Sequence, residues 1–241
     1  MADKPDFSLS DIDGIERSFP TGQPTLICFV KEDCATCNLA APVLQAYHEA
    51  FGGAANVWMI GQEAAGNTVL KSRHGLTLPI LDDSRLLTSL AWDFESVPAL
   101  YWIGADGEML THFEGFIREE WQALDQSISQ ALEVKASKVE WSDYPEWRPG
   151  CGSMHLDPEV NDRLRAEADN SPIRARKIEV AAADDVAEFM FDQGFSDGLP
   201  LVPPTPERVM RMLSGTRRDA QEVIAQMPPN MGDATIEKIA I

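Results

Sequence analysis

Cysteines are the residues of this chain best suited to covalent chemistry: Cys28, Cys34, Cys37 and Cys151. Two of them form the motif Cys34-Ala35-Thr36-Cys37, directly after the run Thr25 to Val30. That run is continuous, apolar and β-rich, which predicts a strand buried on both faces. From Cys34 to about Phe51 the residues Leu39, Val43, Leu44 and Tyr47 recur at helical spacing, so the motif opens a helix. A cysteine in that position meets free N–H groups and the positive end of the helix dipole, both of which favour its thiolate. A second cysteine one turn later can attack a mixed disulfide on the first and release the product. A bare pair with this spacing also describes half of many zinc sites; its place between strand and helix is what gives it a redox meaning. Cys34 is therefore the expected nucleophile and Cys37 the resolving thiol, with their own redox-active disulfide in place of a cofactor.

The other two cysteines read differently. Cys28 falls inside the strand and is expected as a small core residue. Cys151 lies in a loop, Pro149 to His155, that also carries Gly150 and Gly152. Three readings stand side by side: a loop cysteine with no special role, an accessory redox cysteine exchanging with Cys34 or a partner, or a zinc ligand. In the last, Cys34, Cys37, Cys151 and His155 would supply the ligand types that zinc takes. His48, His74 and His112 are expected to be structural or surface residues.

The elements that must position the cysteines alternate along the first 134 residues. After the strand and helix come a core strand at Asn56 to Ile60, a helix ending near Gly75, a small element at Leu78 to Leu81 and a short helix near Ser84 to Ala91. Ala99 to Ile103, a turn at Gly104 to Gly107, and Glu108 to Phe113 read as a β-hairpin. A helix from about Arg118 to Val134 closes the unit, with Trp121, Leu124, Ile128 and Leu132 on one face. Trp58, Trp92, Trp102 and Trp121 are expected in the core. This order predicts a mixed α/β sheet flanked by helices. Residues 135–156 read as an extended linker whose Trp141 and Trp147 pack the tail onto the first unit. Residues 157–241 read as a mostly helical and irregular extension: helix and loop at 157–180, a helix from Asp184 to Gln193, a proline-rich run from Gly198 to Pro206, and a helix over Glu207 to Leu213 with Thr205 as N-cap. An apolar stretch, Thr235 to Ile241, begins a helix and leaves Ile236, Ile239 and Ile241 in need of a covering surface.

Composition narrows the function. The 241 residues include 20 Lys+Arg and 39 Asp+Glu, a formal charge of −19. Phosphate binding relies on clustered basic residues, so nucleic acid and anionic membrane are excluded as expected partners. Four cysteines are too few for a disulfide scaffold at this length. With no basic-then-apolar leader at the start and no apolar stretch near the roughly 20 residues of a membrane span, a soluble cytoplasmic protein is expected.

Several spacings extend the pattern around the pair. Pro42 falls five residues after Cys37, Val97-Pro98 immediately precedes the hairpin, and Gly115 follows it. On these residues the chain resembles the thioredoxin family over roughly residues 5–134. The opening from Pro5 to Gly14 is similar to the lead-in of the peroxiredoxin and cytochrome-maturation branches. The resemblance implies a thioredoxin-like sheet, dithiol chemistry at Cys34 and Cys37, and a cis-proline at Pro98 that with Val97 shapes a groove for extended substrates. Departures accompany it. Asp33 replaces the usual tryptophan, and a carboxylate there is expected to oppose thiolate formation. Cys28 stands where thioredoxins bury an aspartate, leaving Glu32 as the substitute proton acceptor. Residues 30–34 lack the threonine of a peroxidatic site. The segment Asp192 to Arg208 is faintly similar to a stretch in uncharacterised bacterial proteins sometimes associated with thiol or selenol chemistry.

Two functions are expected from these features. One is a thiol–disulfide oxidoreductase serving a specific protein client or partner. The other is a non-catalytic interaction subunit that docks onto an enzyme complex, or onto a second copy of itself, through the C-terminal extension.

Overall fold

A computed structural model describes residues 4–168, 171–178, 180–181, 185–199 and 201–241. The chain opens with a hairpin of β1 (Phe7–Ser10) and β2 (Glu16–Phe19), in which Phe7 lies opposite Phe19 and stacks on it at 5.5 Å. Next come β3 (Thr25–Val30), α1 (Ala35–Phe51), β4 (Asn56–Gly61), α2 (Ala64–His74), β5 (Ile80–Asp82) and α3 (Leu87–Trp92). They are followed by β6 (Ser96–Val97), β7 (Ala99–Ile103), β8 (Met109–Glu114), β9 (Phe116–Ile117) and α4 (Arg118–Ala131).

Five strands form the main sheet in the order β5-β4-β3-β7-β8. The parallel half, β3 to β5, is joined by the crossover helices α1 and α2, whereas β7 and β8 are added as an antiparallel hairpin. All six residues of β3 are buried, as a central strand covered on both faces requires. α1 buries Ala40, Ala41, Val43, Leu44, Tyr47 and Phe51. This helix is fastened further by the Tyr47 hydroxyl, which donates to the Trp121 carbonyl at 2.6 Å. Trp58, Trp92, Trp102 and Trp121 are all buried, and Phe29 packs against both Trp92 and Phe94 at ring distances of 5.3 and 4.5 Å. The expected mixed sheet flanked by helices is thus present.

Residues 135–156 depart from the expected linker. Their first compact unit extends from Met1 to Asp157. Trp141 and Tyr144 pack on the core, with Tyr144 stacked on Phe116 at 5.8 Å, while Trp147 remains 63% exposed. β10 (Trp147–Arg148) pairs with β9, and β11 (Cys151–Gly152) pairs antiparallel with β6. Short edge strands present unpaired N–H and C=O groups, and this segment satisfies them despite its irregular, Pro- and Gly-rich composition.

The second unit, Pro158 to Ile241, holds α5 (Pro158–Ala168), α6 (Val186–Asp192) and α7 (Pro206–Leu213). It continues with β12 (Val223–Met227), β13 (Gly232–Thr235) and α8 (Ile236–Ala240). Asp184, where the sequence pattern starts α6, and Pro200 of the proline-rich run lie outside the described residues. Asp185 caps α6 by accepting from the N–H groups of Ala187 and Glu188. Thr205 stands at the start of α7, but its side chain makes no cap bond. The β12–β13 hairpin has no counterpart in the sequence pattern, because every residue of β12 is exposed and no buried face imposes alternation. In α8 the buried residue is Glu237, whose carboxylate accepts from the backbone N–H groups of Arg174 and Ala175 and from Gln221 Nε2, whereas Ile239 and Ile241 are exposed. Among the described residues no helix is long and apolar enough to cross a membrane.

Candidate active site

The turn after β3 delivers Cys34 to the first position before α1, where its backbone is extended (φ −87°, ψ 112°) and its Sγ accepts from the Cys37 N–H at 3.2 Å. Sulfur here takes the place of the oxygen that usually caps a helix, and its negative charge faces the unsatisfied N–H groups of the first turn. Asn38 braces the turn by donating from Nδ2 to the carbonyls of Glu32 and Cys34, at 2.6 and 3.0 Å. Opposite stands β6, whose Val97 carbonyl oxygen lies 3.4 Å from Cys34 Sγ; the sulfur can donate to it only while protonated. The Val97–Pro98 peptide bond is cis.

The electrostatics separate the four thiols. Cys34 is pulled down to about 5: a hydrogen bond from the Cys37 thiol outweighs burial, helped by one from the Cys151 thiol and by the N–H groups of Cys37 and Thr36. Cys37 is held well above the ordinary thiol range, by burial first and then by its bond to the Cys34 sulfur and that sulfur's charge. Cys151 is raised for the same reasons, with Lys31 pulling weakly the other way. Cys28 is also raised, by burial first and then by the nearby Cys34, and behaves as the expected core residue. All four are free thiols in this structure, and Cys34 and Cys37 are wholly covered while Cys151 keeps partial exposure.

Cys34, Cys37, Val97, Pro98 and Cys151 therefore converge. Two expectations about their neighbours are corrected. Asp33 does not counter the thiolate, because its carboxylate is turned to solvent, 73% exposed, and pairs with Lys31 at 3.5 Å. Nor is Glu32 placed to take the Cys37 proton, since it pairs with Arg73 of α2. His155 is also not beside the cysteines. It is buried, packed edge-on against Phe94 at 5.0 Å, with Nδ1 2.7 Å from Ser153 Oγ. Among the described residues no three His, Cys, Asp or Glu side chains form a group able to hold a metal ion, so the zinc set of Cys34, Cys37, Cys151 and His155 is not assembled.

The residues that bring Cys151 to Cys34 were not singled out by their types. Thr36 Oγ1 donates to the Pro149 carbonyl at 2.6 Å. A Cβ on Gly150 would sit 2.5 Å from Ser96 Oγ and 3.0 Å from the Val97 oxygen, so only glycine lets the chain approach β6 this closely. Gly115, with φ +77°, faces the Gly150 backbone in the same way. Beyond Cys151, Gln62 Nε2 donates to Ser153 Oγ at 2.6 Å and to Ser89 Oγ at 3.0 Å, and the Ser89 hydroxyl donates to the buried Asp83 carboxylate at 2.7 Å. Gly150, directly before Cys151, is the signal that could have pointed to a close backbone approach.

Neither a protein-family model nor a curated protein sequence matches this chain. Solved structures do. A protein assigned as thiol:disulfide interchange protein DsbE from Chlorobium tepidum is 19% identical, with a TM-score of 0.50 over 54% of this chain and 95% of that one. A secreted disulfide oxidoreductase from Mycobacterium tuberculosis is 18% identical, with a TM-score of 0.45 over 52% and 95%. A protein assigned as a thioredoxin from Neisseria meningitidis is 24% identical, with a TM-score of 0.48 over 54% and 89%. The first of these likenesses, with the strand order already described, makes the sheet of the first unit thioredoxin-like.

Proposed function

We propose that this chain is a thiol–disulfide oxidoreductase in which Cys34 attacks and Cys37 resolves, serving a protein client or partner in the cytoplasm. The observation that carries the reading is the Cys34 sulfur at the start of α1, which accepts from the Cys37 N–H at 3.2 Å and lies 3.4 Å from the Val97 carbonyl, with its pKa pulled down to about 5. The Cys34 thiolate attacks one sulfur of a client disulfide; the client S–S bond breaks, a mixed disulfide forms, and the departing client sulfur leaves as a thiolate. Forming that bond removes the negative charge on Cys34, one of the influences that keep Cys37 protonated. Cys37 then gives its proton to the departed thiolate and attacks Cys34 Sγ, closing the Cys34–Cys37 disulfide and releasing the second client sulfur as a thiolate that takes its proton from water. Val97 and Pro98 form the edge on which an extended client would lie. No cofactor enters these steps, since two cysteines carry both electrons.

Turnover of a disulfide-bonded reporter peptide with dithiothreitol as electron source tests this. Cys34→Ser is expected to abolish turnover and Cys37→Ser to stall it after the first exchange. Wild-type rates in Cys34→Ser would overturn the assignment.

One observation favours the interaction-subunit reading: Cys34 is covered, while the second unit exposes Met227, Ile239 and Ile241. Under that reading, a client or second copy docks through the extension, and replacing both Cys34 and Cys37 by serine leaves function in cells unchanged. Loss of function in that double variant decides for the enzyme.

A further inference from the structure

The reading of Cys34 as nucleophile leaves unexplained why a cysteine on a separate strand is paired with Val97, whose carbonyl oxygen lies 3.4 Å from Cys34 Sγ. β11 is seated with care. Cys151 lies in register with Val97 and Gly152 with Ser96, beside Pro98. The segment is fixed on both sides: the Arg118 N–H donates to the Glu146 carbonyl at 2.9 Å, and the Ser153 N–H donates to the Glu95 carbonyl at 3.1 Å. Between these anchors Thr36, Gly115 and Gly150 make the close approach. This edge is where an extended client would pair, so the chain's own strand occupies the docking position and presents a cysteine there.

We propose that Cys151 is a second disulfide partner of Cys34, an internal counterpart of the client cysteine. Two routes lead to the Cys34–Cys151 bond. From the Cys34–Cys37 disulfide, the Cys151 thiolate attacks Cys34 Sγ, the bond to Cys37 breaks, and Cys37 takes up the proton that Cys151 gave. That step is an isomerisation without net redox change. From the reduced protein, glutathione disulfide accepts two electrons and two protons, leaving as two glutathiones while Cys34 and Cys151 join. Exchange with Cys151 competes with the client for Cys34, so the strand must leave β6 before an external disulfide is attacked.

The full-length Cys37→Ser protein and the Cys37→Ser/Cys151→Ser protein are each equilibrated with glutathione disulfide, alkylated, digested without reduction and mapped by mass spectrometry. The single variant should yield an intrachain Cys34–Cys151 peptide as its main oxidised species. Its glutathionylated Cys34 should be at least about tenfold less abundant than in the double variant. Equal glutathionylation of Cys34 in both, with no Cys34–Cys151 peptide, overturns the proposal and leaves Cys34 as nucleophile intact. Failure of both variants to take glutathione at Cys34 overturns the nucleophile assignment and the proposal with it. Gly150→Val in the Cys37→Ser background gives an independent arm, since it pushes β11 off Ser96 without substituting Cys34 or Cys151. The Cys34–Cys151 yield should then fall about tenfold and glutathionylation rise; an unchanged yield counts against a seated strand.

Discussion

Replacing Cys34 by serine removes an acidic thiol but keeps a small hydrogen-bonding side chain at the start of α1. The stability difference between reduced wild type and reduced Cys34→Ser therefore isolates one ionisation. The folded value near 5 lies below the roughly 8.5 expected of an unfolded cysteine. Between those values the folded state binds fewer protons than the unfolded one, so stability rises with pH. The contribution is fully present above about pH 8.5, is lost as pH falls towards 5, and changes by about 1.4 kcal/mol per pH unit between them. Moving from pH 5 to pH 7 should widen the gap between the proteins by about 2 kcal/mol, and from pH 5 to pH 8 by about 3–4 kcal/mol. His48, His74, His112 and His155 are all lowered by burial, and both proteins share them. Cys28, Cys37 and Cys151 are raised, so their contributions are lost only as pH climbs above the unfolded thiol value, outside the interval. Urea midpoints under strong reductant, followed by fluorescence of the buried tryptophans of the first unit, measure the gap. A difference that stays flat from pH 5 to pH 8 refutes the claim that Cys34 is a thiolate in the folded protein.

The same thiolate stabilises the dithiol by about 3 kcal/mol at pH 7, which makes the Cys34–Cys37 disulfide more oxidising by about 60 mV than an unperturbed pair; glutathione-buffered titration reads the potential, and a couple as reducing as an unperturbed pair contradicts it. Cys37→Ala should raise the apparent pKa of Cys34, read from the pH dependence of iodoacetamide alkylation, by about one unit, because hydrogen bonds to charged groups contribute about 1.5–3 kcal/mol and thiol donors are at the weak end. Thr36→Val removes the bond that holds Pro149 and, at about 1 kcal/mol, should speed Cys34 alkylation about fivefold by freeing β11 more often. Glu237→Ala leaves the Arg174 and Ala175 N–H groups without their acceptor and should cost the second unit about 2–4 kcal/mol, detected as faster limited proteolysis within residues 158–241.

Much of the first unit was legible because its signals are local. Five consecutive apolar residues at 26–30 require burial on both faces, the spacing of Val43, Leu44 and Tyr47 requires a helix, and a cysteine at that junction meets the positive end of the helix dipole. What lay outside local pattern was direction and distance. Asp33 and Glu32 adjoin Cys34 in sequence, yet the turn sends one to solvent and the other to Arg73, so neither acts on the thiols as adjacency suggested. Burial of Glu237 in place of Ile239 reversed the apparent apolar face of α8, because a carboxylate serving three donors is satisfied where an exposed one would have no role.

From its own residue types and spacing, then, the chain determined a strand, a dithiol and a helix in the order that makes Cys34 acidic and Cys37 its neighbour. Tertiary structure decided the fate of Cys151. Its approach depends on pairing between residues 96–97 and 151–152, on a threonine in α1 and on glycines at 115 and 150. No periodicity carries that information, because the unpaired edge of β6 that attracts the strand exists only once the sheet has formed.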